Sequence, residues 1–384
     1  HTLSLHDALP ISDGYEEELK QCANDNLRFA MVYREHSTEP LDDLRNLTPW
    51  ASCTADALMN CYDGAGFSAV SYYFAKYLQQ KLDVPVGIIN TSWGGTRIEP
   101  WTPPEGFEAV PALADIAAQV RMNTPASTDY QNHLRDTIAK VKGWLPEAEN
   151  ALKAGAFPPP LPSIASKSAL NTHQSPTVLY NAMVNPLVPY ANRGFIWYQG
   201  ESNTSNGGCS WYEKLFPVLI NFWRKDWGQG DFHFLFVQLC NYQPRQKMPD
   251  DSHWARLREV QLWTLDRVKN TGMAVTIDIG DAKNIHPKNK QDVGKRLALW
   301  ARAQVYGEDI VYSGPLYKSM KVEGNKIRIS FEHVGGGLTG KDGAELKGFA
   351  IAGKDKKFVW ADAGIEKGTI TVSSPDVASP VAVR

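Results

Sequence analysis

A chain of 384 residues, 43% hydrophobic and 21% charged, has the composition of an ordinary globular protein of about two or three domains. A formal net charge of −2 without a basic stripe gives nucleic-acid binding no electrostatic support. No apolar run reaches the ~18 residues of a membrane span. The cysteines, Cys22, Cys53, Cys61, Cys209 and Cys240, form no CxxC pair, which leaves a zinc ribbon or thioredoxin-like motif unsupported. A bridge between Cys53 and Cys61 stays open. The wealth of Trp, Tyr and Phe suits sugar platforms, but it suits a large core better.

In chain order, His1 to Ser12 reads HTLSLHDALPIS. It resembles translated adapter sequence and is set aside as a foreign or disordered segment. No secretory leader is visible at this start. Asn26 to Val32 reads as a strand. Phe67, Val70, Phe74, Tyr77 and Leu78 fall at helical spacing, which predicts an amphipathic helix over 67–82. Val84 to Asn90 is a buried strand, followed by Thr91, Ser92, Trp93, Gly94, Gly95, Thr96 and Arg97. Residues from about 108 to 162 form a helical insertion closed by Pro158, Pro159, Pro160 and Pro162.

Phe195 to Tyr198 is short, apolar and aromatic, which suits a strand buried on both faces. It stops at Gln199, Gly200, Glu201, Ser202 and Asn203. Trp211 to Trp227 is helical. Phe232 to Leu239 is a third apolar strand, Trp254 to Val268 a helix, Met273 to Ile279 a fourth strand and Gln291 to Tyr306 a helix. The fourth strand leads to Gly280, Asp281, Ala282, Lys283, Asn284, Ile285 and His286. Alternating strands and helices imply an α/β fold with a parallel sheet. In such sheets ligands bind beyond the carboxyl ends of the strands. Repeated polar clusters at those ends therefore mark a candidate site.

From about Ile310 the pattern changes. Lys326 to Phe331 alternates apolar and polar after a Glu323-Gly324-Asn325 turn. Gly348 to Ala352 and Lys357 to Trp360 flank Gly353 to Lys356. These hairpins predict an antiparallel β module over 310–384, which stops on an unfinished strand and reads as truncated. The intervening residues, 13–309, form the main domain.

His286 is the candidate general base, because a neutral imidazole takes a proton near pH 7. Asp281 and Asp278 are the local carboxylates that could orient it. Gly94 and Gly95 can expose backbone N–H groups to a developing oxyanion, and Asn203 can add a side-chain donor. Other motifs fail. Gly335 to Lys341 begins like a P-loop, but Asp342 stands where Ser or Thr is required. Ser68 and Ser202 each have the first glycine of a GxSxG elbow and lack the second. The histidines show no zinc spacing and HExxH is absent.

At these residues the chain resembles the sialate O-acetylesterase family of carbohydrate esterases, within the SGNH hydrolases. The matching stretches are VPVGIINTSWGGTRIEPW from Val84, FIWYQGESN from Phe195, WARLREVQ from Trp254 and DIGDAKNIHPKNKQDVGKRLA from Asp278. The resemblance implies a flavodoxin-like three-layer parallel sheet and a serine esterase mechanism without a cofactor. It implies His286 as base, Gly94, Gly95 and Asn203 at the oxyanion, and Gln199 and Glu201 shaping the site. The implied partner is an O-acetylated carbohydrate, either sialic acid or a plant glycan, and the implied location is outside the cytoplasm. Oligomeric state is not implied.

Three departures accompany the resemblance. The family's nucleophile lies in a GQSNM-type block that should precede Tyr15, and this sequence has no such block. Lys283 stands three residues before His286, where the family's acid is usual. Ser202, not Asn203, stands two residues after Gly200. The reading is therefore a carbohydrate O-acetylesterase that is catalytically incomplete as given. A non-catalytic carbohydrate-binding protein that kept the fold is the alternative.

Overall fold

The computed structural model describes residues 7–61, 66–162, 170–188, 190–205 and 207–384. Its strands before the β module are β1 (Asn24–Met31), β2 (Ala51–Cys53), β3 (Val86–Asn90), β4 (Gly194–Trp197), β5 (His233–Val237) and β6 (Thr271–Ala274). They form two three-stranded sheets rather than one. The first has the order β2-β1-β3, and the second β4-β5-β6. β1 pairs in parallel with β3, and β5 in parallel with both β4 and β6. Only β2 runs antiparallel, and its three residues carry too little pattern to be legible in sequence.

The apolar run of β5 explains how the second sheet is covered. Phe234 and Phe236 point into one core cluster with Phe216, Leu219 and Trp223 of the helix Gly208–Trp227. Leu235 and Val237, on the alternate face, join Val293 and Leu297 of the helix Lys290–Gln304. That helix packs closely against the helix Ala69–Leu82. Gly294 is a point of close approach, where a Cβ would lie 2.6 Å from Tyr73 Cβ.

Two strands differ from the sequence reading. β4 is an edge strand with Phe195 and Ile196 only half-buried, not buried on both faces. β6 ends at Ala274, because the Thr276 hydroxyl donates to Gln238 O at 2.6 Å and Ile279 N–H donates to Thr276 O at 3.2 Å, closing a turn. The insertion is helical as expected, with Ala114–Arg121 and Thr128–Lys153 as its main helices. Trp144 Nε1 donates to Pro159 O at 2.8 Å and folds the proline segment back on it.

Of the N-terminal segment set aside in sequence, residues 1–6 lie outside the described residues, while Asp7 to Ser12 have a defined place. Leu9 is buried, and its N–H donates to Phe67 O at 2.9 Å. The Asp7 carboxylate bonds Ser68 Oγ and accepts from Val70 N–H at the start of the helix Ala69–Leu82. Disorder therefore does not describe these six residues.

The C-terminal region is an antiparallel module. β7 (Leu316–Glu323), β8 (Lys326–Glu332), β11 (Asp362–Glu366) and β12 (Thr369–Ser373) make one sheet in the order β11-β12-β8-β7. β9 (Ala350–Ala352), β10 (Val359–Trp360) and β13 (Ala382–Val383) make another. Ile327, Ile329, Ile370 and Val372 fill its own core. The module meets the main domain where Trp360 Nε1 donates to Lys247 O at 2.8 Å and Arg384 pairs with Asp251 at 2.9 Å.

Candidate active site

The loops that follow β3 and β4 meet in one pocket. Gly94, Gly95, Gln199, Glu201, Ser92 and Ser202 line it. Its volume is about 140 Å³. Four hydrogen bonds between the two loops, and one within the second, fix how they fit together. Ser202 Oγ donates to Gly95 O at 2.9 Å, and Gln199 Nε2 donates to Thr96 O at 3.0 Å. Gly95 sits at φ +74°, a left-handed conformation that favours glycine and turns its carbonyl toward Ser202. Beneath them, Asn203 Oδ1 accepts from Ile98 N–H at 2.9 Å and from Gln199 Nε2 at 2.8 Å, while its Nδ2 donates to Glu99 Oε2 at 3.0 Å.

Asn203 is therefore a clamp. It is fully buried and does not line the pocket, so as placed its amide is not an open donor to an oxyanion. Gly94 and Gly95 do stand at the pocket, as do Gln199 and Glu201. Gln199 O and Val237 O both accept from Gln261 Nε2, a buried side chain of the helix His253–Arg267 that fixes the wall from behind.

His286 and Asp281 are not in the pocket lining. The His286 backbone N–H donates to Asn284 Oδ1 at 2.9 Å, and its ring is half-buried. Burial, then the nearby Lys290 charge, lower its pKa below the ordinary value of 6.5, so the imidazole is neutral at pH 7. Asp281 is exposed, and its carboxylate accepts from Lys283 N–H at 2.8 Å rather than from His286. Asp278 is held by both Arg296 nitrogens, at 2.6 and 2.7 Å, and that guanidinium keeps its pKa below the usual carboxylate range. The structure thus brings together the glycines, Gln199 and Glu201, and sets Asp281 apart from His286.

Lys290 was missed in sequence. It is fully buried, lies 4.9 Å from the centre of the Tyr198 ring, and its Nζ has no hydrogen-bond partner among the described residues. Burial lowers its pKa, while the Asp7, Glu201 and Cys240 side chains oppose the shift. Burial likewise raises the Glu201 and Asp7 carboxyls, with Lys290 opposing. The signal was available. Lys290, Val293, Gly294, Leu297, Ala298 and Ala301 repeat at helical spacing, which puts the lysine on the apolar face.

At the rim, Trp93 stacks on His173 with ring centroids 4.7 Å apart and planes 4° from parallel. The Arg34 guanidinium lies 6.0 Å from the same indole, and His36 meets it edge-on.

Comparisons with known proteins point to one family. A family model described as "Carbohydrate esterase, sialic acid-specific acetylesterase" matches residues 162–302. The solved structure of a carbohydrate acetylesterase from Xanthomonas citri superposes with a TM-score of 0.77 at 33% identity, covering 100% of this chain and 73% of that one. The chain belongs to the sialate O-acetylesterase family. The family's mouse member, sialate O-acetylesterase, is 32% identical over 78% of this chain and 54% of its own length. The human sialate O-acetylesterase is 29% identical over 83% of this chain and 54% of its own. The chain thus spans about half the length of the curated family members it matches.

Proposed function

We propose that this protein is a carbohydrate O-acetylesterase that hydrolyses acetyl esters on sialic acid or on acetylated glycans by a serine-esterase mechanism. The observation that carries the reading is the convergence of Gly94, Gly95, Gln199 and Glu201 from two strand ends on one pocket. A flavodoxin-like three-layer sheet of the SGNH type is the fold that goes with it. Gly94 and Gly95 supply backbone donors for the oxyanion, and Gln199 and Glu201 shape the pocket. His286, neutral at pH 7, is the base. No acid is assigned, because Asp281 is tied to Lys283 and Asp278 to Arg296. Export from the cytoplasm belongs to the same proposal. Among the described residues no helix is long and apolar enough to cross a membrane.

The chain as given turns over poorly, because its sequence has no GQSNM-type block to supply the nucleophile. Oxyanion donors and binding alone reach about 10³-fold over water, far short of an enzyme. The second reading is a carbohydrate binder without catalysis. The test is acetate release from O-acetylated sialic acid and from acetylated xylan, by the chain and by a form carrying the block. The reading predicts release by the second form only. Activity confined to lipid or peptide esters sinks it, and sugar binding without release by either form supports the binder.

A further inference from the structure

We propose that Cys22 and Cys53 are a disulfide site, whose oxidation closes the chain between them into a covalent loop. This rests on the placement of the two side chains and does not depend on the esterase reading.

Cys22 stands just before β1, and Cys53 is the last residue of β2. Antiparallel pairing sets Cys53 opposite Asn24, two positions after Cys22. Both thiols are buried in one core cluster, with Leu58, Phe67 and Tyr72. Cys53 Sγ donates to Cys22 O at 3.0 Å. A carbonyl oxygen lies about 2.4 Å from its own Cα, so Cys53 Sγ is no more than about 5.4 Å from Cys22 Cα. Cys22 Sγ donates to Leu19 O at 3.2 Å, and turning it from there toward Cys53 is a rotation about one side-chain bond. Burial raises the pKa of both thiols, and in each the other thiol is the second cause.

Cys61 is the competitor. It packs against the same cluster, but its Sγ donates to Ala57 O at 3.0 Å, four residues back in its own segment. Burial alone raises its pKa, with no thiol among the causes.

The loop so closed carries β1 together with Arg34 and His36, which sit against Trp93 at the pocket rim. β2 is only three residues long, so the covalent tie acts where the ladder is thinnest. The oxidant is a disulfide R–S–S–R, as an oxidising compartment supplies. One cysteine thiolate attacks it, its S–S bond breaks and one RSH leaves. The second thiolate attacks the mixed disulfide, forms the Cys22–Cys53 bond and releases the second RSH. The two thiol protons end on the two RSH molecules. Because both cysteines are buried, exchange takes place in the opened chain, and the folded core then shields the bond.

The test unfolds the full, reduced chain in denaturant and refolds it in a mixture of reduced and oxidised glutathione. Digestion without reduction, followed by mass spectrometry, maps the bridges. The expected product is a peptide linking Cys22 to Cys53, with Cys61 left free. The oxidised protein should melt about 5 °C above the same chain refolded with reductant. That difference is kept in C61A and lost in C53A. Each variant is compared with its own reduced form, so a shift caused by the substitution itself does not enter. Free thiols at both positions overturn the proposal. So does a Cys53–Cys61 bridge in place of Cys22–Cys53. A Cys22–Cys53 bond that lowers the melting temperature also overturns it, since the folded backbone then does not accept the bond.

Discussion

Asn203 Nδ2 donates to Glu99 Oε2 at 3.0 Å, between residues 104 positions apart in sequence. Glu99 is in turn held by Arg97, whose Nε is 2.9 Å from Glu99 Oε1. The two loops of the pocket are thus joined by a buried polar chain. Replacing Asn203 with Ala strips partners from Glu99, Gln199 and the Ile98 amide. At about 1–3 kcal/mol for each buried group left unmatched, the loss is on the order of 3 kcal/mol. Urea unfolding of N203A checks it. An unchanged midpoint with altered ligand affinity would instead restore Asn203 as a donor to the pocket.

Lys290 lowers the His286 pKa from a distance, as the second cause after burial. Replacing Lys290 with Met removes that charge and leaves the burial. The imidazole pKa, followed by NMR at its ring carbon protons, should move up toward 6.5. The sign carries into stability. A lowered folded pKa means the unfolded chain binds more protons, so His286 costs stability as pH falls from 6.5 through its folded value, and costs nothing above that window. K290M should reduce this acid loss.

Glu201 has the opposite sign. Burial raises its carboxyl above the ordinary 4.5, so the folded state holds the extra proton. Its contribution is present below 4.5 and is lost as pH rises through the raised value. Relative to the parent, E201Q should therefore gain in melting temperature as pH climbs from 4.5 toward neutrality. A flat difference between the two proteins across that range refutes the assignment.

Gly294 sets two effects against each other. In a helix interior Ala is better than Gly by about 1 kcal/mol. Here the added methyl meets Tyr73 Cβ at 2.6 Å and Phe74 N at 2.7 Å, backbone and near-backbone atoms that cannot swing away. Overpacking costs about 1–3 kcal/mol, so G294A should be net destabilising, and thermal melts should show a lower Tm. A raised Tm means the two helices separate easily.

The thiols predict slow chemistry. Cys22, Cys53, Cys61, Cys209 and Cys240 are all free, so the bridge left open between Cys53 and Cys61 is not formed. Burial pushes Cys53 up to about 12 and Cys61 and Cys240 up to about 11. Thiolate is the reactive form, so alkylation at pH 8 should be slow in the native protein and complete in denaturant. Cys61, half-buried where the others are buried, should react first.

What could be read from the sequence follows the range of the interactions involved. The apolar run around Phe234 and the helical spacing after Phe67 are local signals, and both elements form where they were expected. The strand from Met273 was read too long, because Thr276 looks like a strand residue and its hydroxyl is instead used on Gln238 O. Gly94, Gly95, Gln199 and Glu201 announced themselves as polar groups at strand ends. The Asn203–Glu99 clamp could not, since its partners are far apart in sequence and neither is unusual alone. Lys290 shares the apolar face of its helix with Val293 and Leu297, a place where a lysine is seldom found.

The β module holds more than its own core. Trp360 and Arg384 grip the loop after β5 at Lys247 and Asp251, and the Lys341 charge helps to lower the Asp278 pKa beyond β6. Two separate loops of the main domain are thereby leashed to one body. They should fray together and only when that body melts, forming one cooperative opening unit rather than two independent flaps.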